Sequence, residues 1–396
     1  MKILVVCQYY KPEPFRISEI CEELVKRGNE VTVLTGLPNY PMGEIYEGYR
    51  KGKKRDEVIN GVSVHRCFTI GRKQGVVHRF LNYYSYAISS TRYAKKIREK
   101  FDVVFVNQLS PVMMANAGIT YKKRNRVPLI LYSLDLWPES LEWGGINRSS
   151  PIFKYFHRVS KKIYEQADCV AVTSKLFARY FADEFNINQV EYLPQFAEDI
   201  FSSDIVENER TGEDINLVFA GNIGVAQSIV TMIKAADLVK DIGRLKWHIV
   251  GDGSELNRLK NLSSSMHMDN VVFHGRKPLE KMPEIYAKAD AMLVTMQKSS
   301  ILSYTLPGKV QTYMAAGKPI IGAIDGETAL IIKEAQCGFC SDAEDAEALA
   351  ENVRRFIASD AKEQMGRNAR SYYDRHFSKE KFMEDLDSIF YEIIQQ

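Results

Sequence analysis

The sequence predicts an α/β protein built from two doubly wound domains in succession. Three observations lead there. Short continuous apolar runs alternate with segments of helical period along almost the whole chain, the pattern of strands buried on both faces and their crossover helices. The 396 residues, 45% hydrophobic and 26% charged, suit two domains of ordinary size, each able to bury a core. The alternation breaks once, over residues 195–214, which are polar, acidic and without period. That segment reads as the interdomain linker.

In the first half, residues 2–7 are a continuous apolar run and give the first strand. A Pro-rich turn occupies 8–14. Ile17, Ile20, Cys21, Leu24 and Val25 then recur at helical spacing, and Gly28 closes the helix. Residues 31–35 complete a βαβ unit. Further strands are expected at 62–68, 102–106, 129–132 and 169–173, with helices at 77–98, 111–123, 151–166 and 176–183. In the second half, strands at 216–220, 246–250, 271–274, 291–295 and 319–323 alternate with helices at 229–239, 255–262, 280–287, 309–316 and 328–335. Helices at 345–357, 362–376 and 379–394 exceed what a second sheet needs as cover, so the last is expected to return to the first domain. The domains are therefore set at 1–195 with 378–396, and at 196–377.

Charge divides the same way. Residues 1–195 hold 30 Lys or Arg against 19 Asp or Glu, and the remainder 23 against 31, within an overall +3. The basic half suits an anionic partner such as lipid headgroups or a diphosphate-linked acceptor. Basic clusters at 50–55 and 122–126, and Tyr83, Tyr84 and Tyr86 beside Arg79, Arg92, Lys95 and Lys96, suit a membrane interface. No nucleic-acid motif accompanies them, so no nucleic acid is expected. The opening apolar run is too short for a signal peptide, and no stretch approaches the roughly 18–20 apolar residues of a membrane span. Membrane contact is expected to be peripheral, at the cytoplasmic face. Four of the six cysteines sit in apolar surroundings, and the lone Cys337-x-x-Cys340 lacks the second pair that a zinc site needs. The seven dispersed histidines form no metal set, and no metal is expected.

In an open α/β sheet, ligands bind beyond the carboxyl ends of the strands. Three such ends in the second half carry glycine: Phe219-Ala220-Gly221-Asn222-Ile223-Gly224, Val250-Gly251-Asp252-Gly253-Ser254 and His274-Gly275-Arg276. Exposed amides of glycine turns beside helix N-termini suit a diphosphate. None of these loops is a G-x-x-x-x-G-K-[ST] or G-x-G-x-x-G motif, which counts against an ATPase and a simple dinucleotide dehydrogenase. A fourth element, Pro307-Gly308-Lys309, opens a short helix that ends at Gly317, placing a cation in its first turn.

The run Tyr313-Met314-Ala315-Ala316-Gly317-Lys318-Pro319 resembles the E-A-M-A-x-G-x-P signature of glycosyltransferase family 4. The loops at Gly221 and Gly251, the opening Val5-Val6-Cys7-Gln8-Tyr9-Tyr10-Lys11-Pro12-Glu13, and Arg27-Gly28-Asn29-Glu30-Val31-Thr32-Val33-Leu34-Thr35 are similar to that family too. Leu37-Pro38-Asn39-Tyr40-Pro41 and Asp135-Leu136-Trp137-Pro138-Glu139-Ser140 look like a bacterial subgroup that transfers N-acetylated or deoxy amino sugars, such as N-acetyl-L-fucosamine, in O-antigen and capsule assembly. The resemblance implies a GT-B fold, in which two Rossmann-like domains flank a cleft and a C-terminal helix returns to the first. It implies a retaining, metal-independent transfer with no cofactor, from a UDP-sugar on the second domain to a polyprenyl-diphosphate-linked glycan on the first.

Carried over position by position, the donor would meet Gly221, Asn222, Gly224, Gly251, Gly253, Pro307, Gly308, Thr312 and Glu327. Lys309 and Arg276 would stabilise the leaving diphosphate, and Asp135 would orient the acceptor hydroxyl or take its proton. Arg16, Asn39, Tyr40 and Glu139 would line the acceptor side. The chain departs from the family at two glutamates eight positions apart, where Tyr304 and Thr312 stand, and at a lysine after the first glycine loop, which Gln227 replaces. Two alternatives stay open: a UDP-sugar 2-epimerase-like isomerase on the same architecture, and a non-catalytic sugar-nucleotide-binding partner.

Overall fold

The computed structural model describes residues 1–73, 75–201 and 213–395. The linker expected at 195–214 lies outside the described residues over 202–212. The chain divides into two compact units, one of residues 1–173, 177–193 and 383–396, the other of 174–176 and 194–382.

The first unit follows the order β1 (Lys2–Val6), α1 (Ile17–Lys26), β2 (Glu30–Thr35), β3 (Asp56–Ile59), β4 (Val62–Arg66), α2 (Val76–Ala94), β5 (Val103–Gln108), α3 (Asn116–Asn125), β6 (Leu129–Ser133), α4 (Pro151–Tyr164), β7 (Cys169–Val172), α5 (Lys175–Phe185) and β8 (Glu191–Tyr192). Its sheet runs β3-β4-β2-β1-β5-β6-β7-β8. Every pairing is parallel except β3 with β4. β5 and β6 are buried along their whole length, as crossover helices on both faces require.

The second unit continues with β9 (Ile215–Ala220), α6 (Ile229–Leu238), β10 (Leu245–Val250), α7 (Leu256–Ser265), β11 (Val271–Gly275), α8 (Met282–Ala287), β12 (Ala291–Thr295), α9 (Ser300–Tyr304), α10 (Gly308–Ala315), β13 (Ile320–Ala323), α11 (Glu327–Glu334), β14 (Gly338–Ser341), α12 (Ala346–Ala358), α13 (Lys362–His376) and α14 (Lys379–Gln395). Its all-parallel sheet runs β11-β10-β9-β12-β13-β14. Leu217, Phe219, Trp247 and Ile249 face one apolar core. Val218, Ala220, Val250 and Val294 face the other, where Tyr313 of α10 and Tyr372 of α13 pack. Residues 383–395 of α14 belong to the first unit. There Phe390 meets Phe105 edge-on at 5.9 Å and Asp387 pairs with Arg27 at 3.1 Å.

Four short elements go beyond the sequence reading: β3, β8, α9 and β14. β3 had a signal. Asn60 and Gly61, at φ 50 and 84, form the two-residue turn that pairs Ile59 with Val62, and Asn-Gly is a strong hairpin dipeptide. The others are too short to show a period. The helix expected over 111–123 starts as a 3-10 turn, Val112–Ala115, before α3. α2 ends at Ala94 rather than 98.

Candidate active site

The donor half of the site is a cradle of interleaved glycine loops at the carboxyl ends of β9, β10 and β11. Gly221 N–H donates to Val250 O at 3.0 Å, and Gly251 N–H to Gly275 O at 3.0 Å. Ile223 N–H donates to Asp252 O at 2.8 Å. The loops lie too close for side chains. A Cβ on Gly251 would stand 1.8 Å from Gly221 O, and one on Gly253 2.3 Å from Ile223 O. Gly251 also sits at φ +147, a conformation that favours glycine. Asn222 is exposed, and its Nδ2 lies 3.3 Å from Gln227 Oε1, which also accepts the Gly224 N–H at 3.2 Å. Gln227 therefore ties the loop together where the family sequence pattern has a cation.

Lys309 supplies the cation from the first turn of α10. Pro307 and Gly308 open that helix, and the Tyr313 hydroxyl anchors it by accepting Ala220 N–H and donating to Ala220 O, both at 3.0 Å. Lys309 Nζ lies 3.8 Å from the Phe219 ring centroid, and a Cβ on Gly221 would stand 2.9 Å from it. The nitrogen is buried and has no hydrogen-bond partner among the described residues. Burial alone lowers its pKa to about 7. A buried ammonium costs free energy unless an anion meets it.

Thr312 stands one turn further along α10. Its hydroxyl lies 2.9 Å from Glu198 Oε2 and 3.1 Å from Gly308 O. Glu198 comes from the segment ahead of β9. The acid absent from position 312 is thus present in space, supplied from a stretch that read only as an acidic linker. Arg276 follows β11, is exposed, and has no ion-pair partner among the described residues. Glu327 departs from the expected donor contact. It is buried, and its oxygens accept Lys175 N–H and Leu176 N–H, each at 3.2 Å. Its carboxylate satisfies backbone donors of the 174–176 segment.

In the first unit, Asp135 lies just beyond β6. Its Oδ2 accepts a hydrogen bond from Ser110 Oγ, which is 2.8 Å from Ser140 Oγ. Burial raises the Asp135 pKa, and the Ser110 bond opposes that rise. Burial, and to a smaller extent the charge of Asp135, raises the pKa of Tyr83, whose ring centroid lies 5.5 Å from the Arg72 guanidinium. Arg72 is beside Tyr9. Tyr9 stacks on Phe15 at 4.7 Å, and Tyr40, 38% exposed, meets Phe15 edge-on at 5.2 Å. Asp135, Arg72 and a partly open aromatic cluster therefore gather at one end of the sheet. Arg72 and Ser110 have no motif around them, which is why sequence reasoning missed them.

Three expected acceptor residues are corrected. Asn39 is 0% exposed. Its Oδ1 accepts Arg72 N–H at 3.1 Å and Asn82 Nδ2 at 3.3 Å, while its Nδ2 donates to Leu37 O at 2.8 Å. It fixes the loop that presents Tyr40. The Asn39 and Tyr40 N–H groups both donate to Glu13 Oε1, at 2.8 and 2.7 Å. Glu13 is a buried carboxyl whose pKa burial raises to about 7. Arg16 begins α1 with its side chain mostly covered and Nη1 3.8 Å from Glu19, so it is not an open phosphate ligand. Glu139 is 1% exposed. It pairs with Arg148 at 2.8 Å and accepts from the Tyr180 hydroxyl. Glu139→Ala is expected to cost about 1–3 kcal/mol by orphaning the buried Tyr180 hydroxyl. Calorimetry should show a lower Tm while the acceptor KM of the folded enzyme stays put; a raised KM at unchanged Tm would return Glu139 to the acceptor site.

Two doubly wound units, one ending in a glycine cradle and the other holding Asp135 just beyond its sheet, have the architecture of the GT-B fold. The Glycosyl transferase 4-like domain matches residues 15–194 and the Glycosyl transferases group 1 domain matches 201–372. With both halves matched, the chain belongs to the family 4 glycosyltransferases and is an enzyme of the hexosyltransferase type. It is similar to WcaI of Escherichia coli (strain K12), assigned to colanic acid biosynthesis as a glycosyl transferase, at 24% identity over 97% of this chain and 98% of that one. Among solved structures it is similar to sucrose-phosphate synthase from Thermosynechococcus elongatus, with a TM-score of 0.73 and 16% identity over 100% and 99% of the two chains. It is also similar to Anabaena Alr3699/HepE in complex with UDP-glucose, with a TM-score of 0.67 and 14% identity over 98% and 100%. The isomerase and non-catalytic alternatives give way to this family match.

Proposed function

We propose that the chain is a retaining glycosyltransferase that needs no metal or cofactor. It moves an N-acetylated amino or deoxyamino sugar from a UDP-sugar to a polyprenyl-diphosphate-linked glycan during bacterial O-antigen or capsule assembly, at the cytoplasmic face of the plasma membrane. The observation that carries the donor reading is Lys309, whose buried ammonium beside the Gly221 loop has no hydrogen-bond partner among the described residues. The UDP-glucose complex of Alr3699/HepE supports a uridine nucleotide, and the assignment of WcaI to colanic acid biosynthesis supports a polysaccharide product. The basic first half suits a diphosphate-linked acceptor.

In this reading, the glycine loops of Gly221, Asn222, Gly224, Gly251 and Gly253 leave room for the diphosphate, and the α10 N-terminus at Pro307 and Gly308 holds it. Lys309 and Arg276 meet the charge that grows on it as the sugar C1–O bond breaks. Glu198, held by Thr312, takes the ribose contact. Asp135 orients the acceptor hydroxyl, whose oxygen bonds to C1 on the face the diphosphate leaves. The leaving phosphate oxygen takes the hydroxyl proton. The aromatic cluster of Tyr9, Phe15 and Tyr40 receives an acceptor sugar face.

The test is transfer by purified protein from a panel of UDP-N-acetylamino sugars to a polyprenyl-diphosphate-linked acceptor. Product with retained anomeric configuration, formed equally well in EDTA, is expected. Neither transfer nor nucleotide release with any pairing would overturn the proposal.

A further inference from the structure

Arg72 follows β4 in a loop whose backbone is fixed on both sides. Its N–H donates to Asn39 Oδ1 at 3.1 Å. Around it, the loop after β4 packs on the loop after β2 with no room for side chains. A Cβ on Gly43 would stand 2.8 Å from Arg72 O, and one on Gly71 2.6 Å from Gly43 O. Asn39 is held in turn by Glu13, which accepts its N–H at 2.8 Å. The network that presents Tyr40 therefore also sets where Arg72 starts.

The Arg72 side chain is a half-buried cation without a counter-charge. Its guanidinium lies 5.5 Å from the Tyr83 ring centroid, with Tyr9 and Tyr40 beside it, and it forms no ion pair among the described residues. Burial raises the pKa values of Tyr9 and Tyr83, so both stay neutral phenols. The acids at this end of the sheet are engaged elsewhere: Glu13 Oε1 accepts the Asn39 and Tyr40 N–H groups, and Asp135 accepts from Ser110 Oγ. Arg66 of the same unit shows the contrast. It too meets a ring, that of Tyr49 at 4.7 Å, but it pairs with Glu57 at 2.7 Å and donates to Lys11 O and Gly36 O. The fold uses up that guanidinium. Arg72 has the aromatic contact without the acid or the carbonyls, which leaves its planar N–H fork for an oxyanion from outside the chain.

Position selects the anion. Arg72 and Asp135 both bear on Tyr83, so the groups they meet lie within reach of a single sugar, and Tyr40, 38% exposed, gives that place an open aromatic side. We infer that Arg72 receives a phosphate carried by the same acceptor sugar whose hydroxyl Asp135 orients. The inference rests on the proposed function and names the residue that would read the acceptor's charge. It also separates the α2 tyrosines, which were all expected at a membrane interface. Only Tyr84 is exposed there. Tyr86 is buried, its hydroxyl 2.8 Å from Cys7 O and 2.9 Å from Leu34 O, and Tyr83 turns to Arg72.

The test is calorimetric titration of the full chain saturated with UDP, so that the donor site is filled. The probes are N-acetylglucosamine 1-phosphate, the neutral methyl N-acetylglucosaminide and inorganic phosphate. The wild type is expected to bind the sugar phosphate about tenfold or more tighter than either of the others. Arg72→Gln should lose about tenfold or more for the sugar phosphate alone, with unchanged circular dichroism and unchanged UDP affinity. Arg72→Lys keeps the charge without the fork and should recover part of the loss. Equal binding of the sugar phosphate by wild type and Arg72→Gln would overturn the inference. So would an equal loss for the neutral glycoside, which would make Arg72 a structural residue, or inorganic phosphate bound as tightly as the sugar phosphate, which would mark a site for a free anion. Because binding needs no turnover, a protein with Arg72-dependent binding that transfers no sugar would fail the enzymatic reading alone.

Discussion

Lys309→Met is expected to weaken UDP-sugar binding roughly 10–150-fold, the equivalent of losing a charge-assisted contact of about 1.5–3 kcal/mol, while making the unliganded protein more stable. The two effects have one cause. The ammonium is buried on Phe219 with no hydrogen-bond partner among the described residues. Methionine keeps the length and the ring contact and removes the buried charge. Burial moves the Lys309 pKa from 10.5 to about 7, and each unit of such a shift stands for about 1.4 kcal/mol. The relief therefore comes to several kcal/mol. Calorimetry should show a Tm raised by several degrees at neutral pH.

The sign with pH follows from proton binding. Between the folded value near 7 and the unfolded 10.5, the unfolded chain holds the proton that the folded chain lacks, so wild-type stability rises with pH in that window. The gain from methionine is full below about 7 and fades toward 10.5. Donor affinity runs the other way. The diphosphate binds the protonated amine, so wild-type affinity falls above pH 7 and binding takes up a proton, whereas the variant shows neither effect. Calorimetric titration in buffers of different ionisation enthalpy reads both. Unchanged donor affinity in the variant would remove Lys309 from the site.

Asp135→Asn is expected to lower kcat about 100-fold, the order of loss when a reacting hydroxyl is no longer held in line, with little change in donor KM. The amide keeps the shape and can still meet Ser110 Oγ, so the fold should persist. Burial places the Asp135 carboxyl above the ordinary carboxylate range. The wild-type rate should therefore fall as pH drops through that raised pKa, and the limb should vanish in the variant. A wild-type pH profile in Asp135→Asn would assign the group only a structural bond to Ser110.

The glycine loops were legible because their requirement is local. Gly221 and Gly251 close strand ends in phase, and no side chain fits where those loops interleave. Lys309 was legible for a similar reason, since Pro307-Gly308 fixes a helix start and places the next residue in its first turn. Asn39, Glu139 and Glu327 misled because a polar residue in a site loop has the same sequence signature whether it faces a ligand or a backbone amide. All three are buried and fully engaged within the fold. Glu13 and Arg72, which organise the same end of the first sheet, carried no assignment.

The sequence by itself determined the fold class, the two alternating series, the strand ends that carry glycine and the cation at 309. Each follows from periodicity or from a turn spanning a few residues. Only the tertiary structure decided which polar groups remain available. It brought Glu198 to Thr312 across 114 positions, buried the Lys309 nitrogen with no hydrogen-bond partner among the described residues, and sorted Tyr83, Tyr84 and Tyr86 between a site, a surface and a core. Those outcomes depend on which atoms share a small volume after the chain folds, and a hydrogen bond or a desolvated charge is fixed by that neighbourhood rather than by its own stretch of chain.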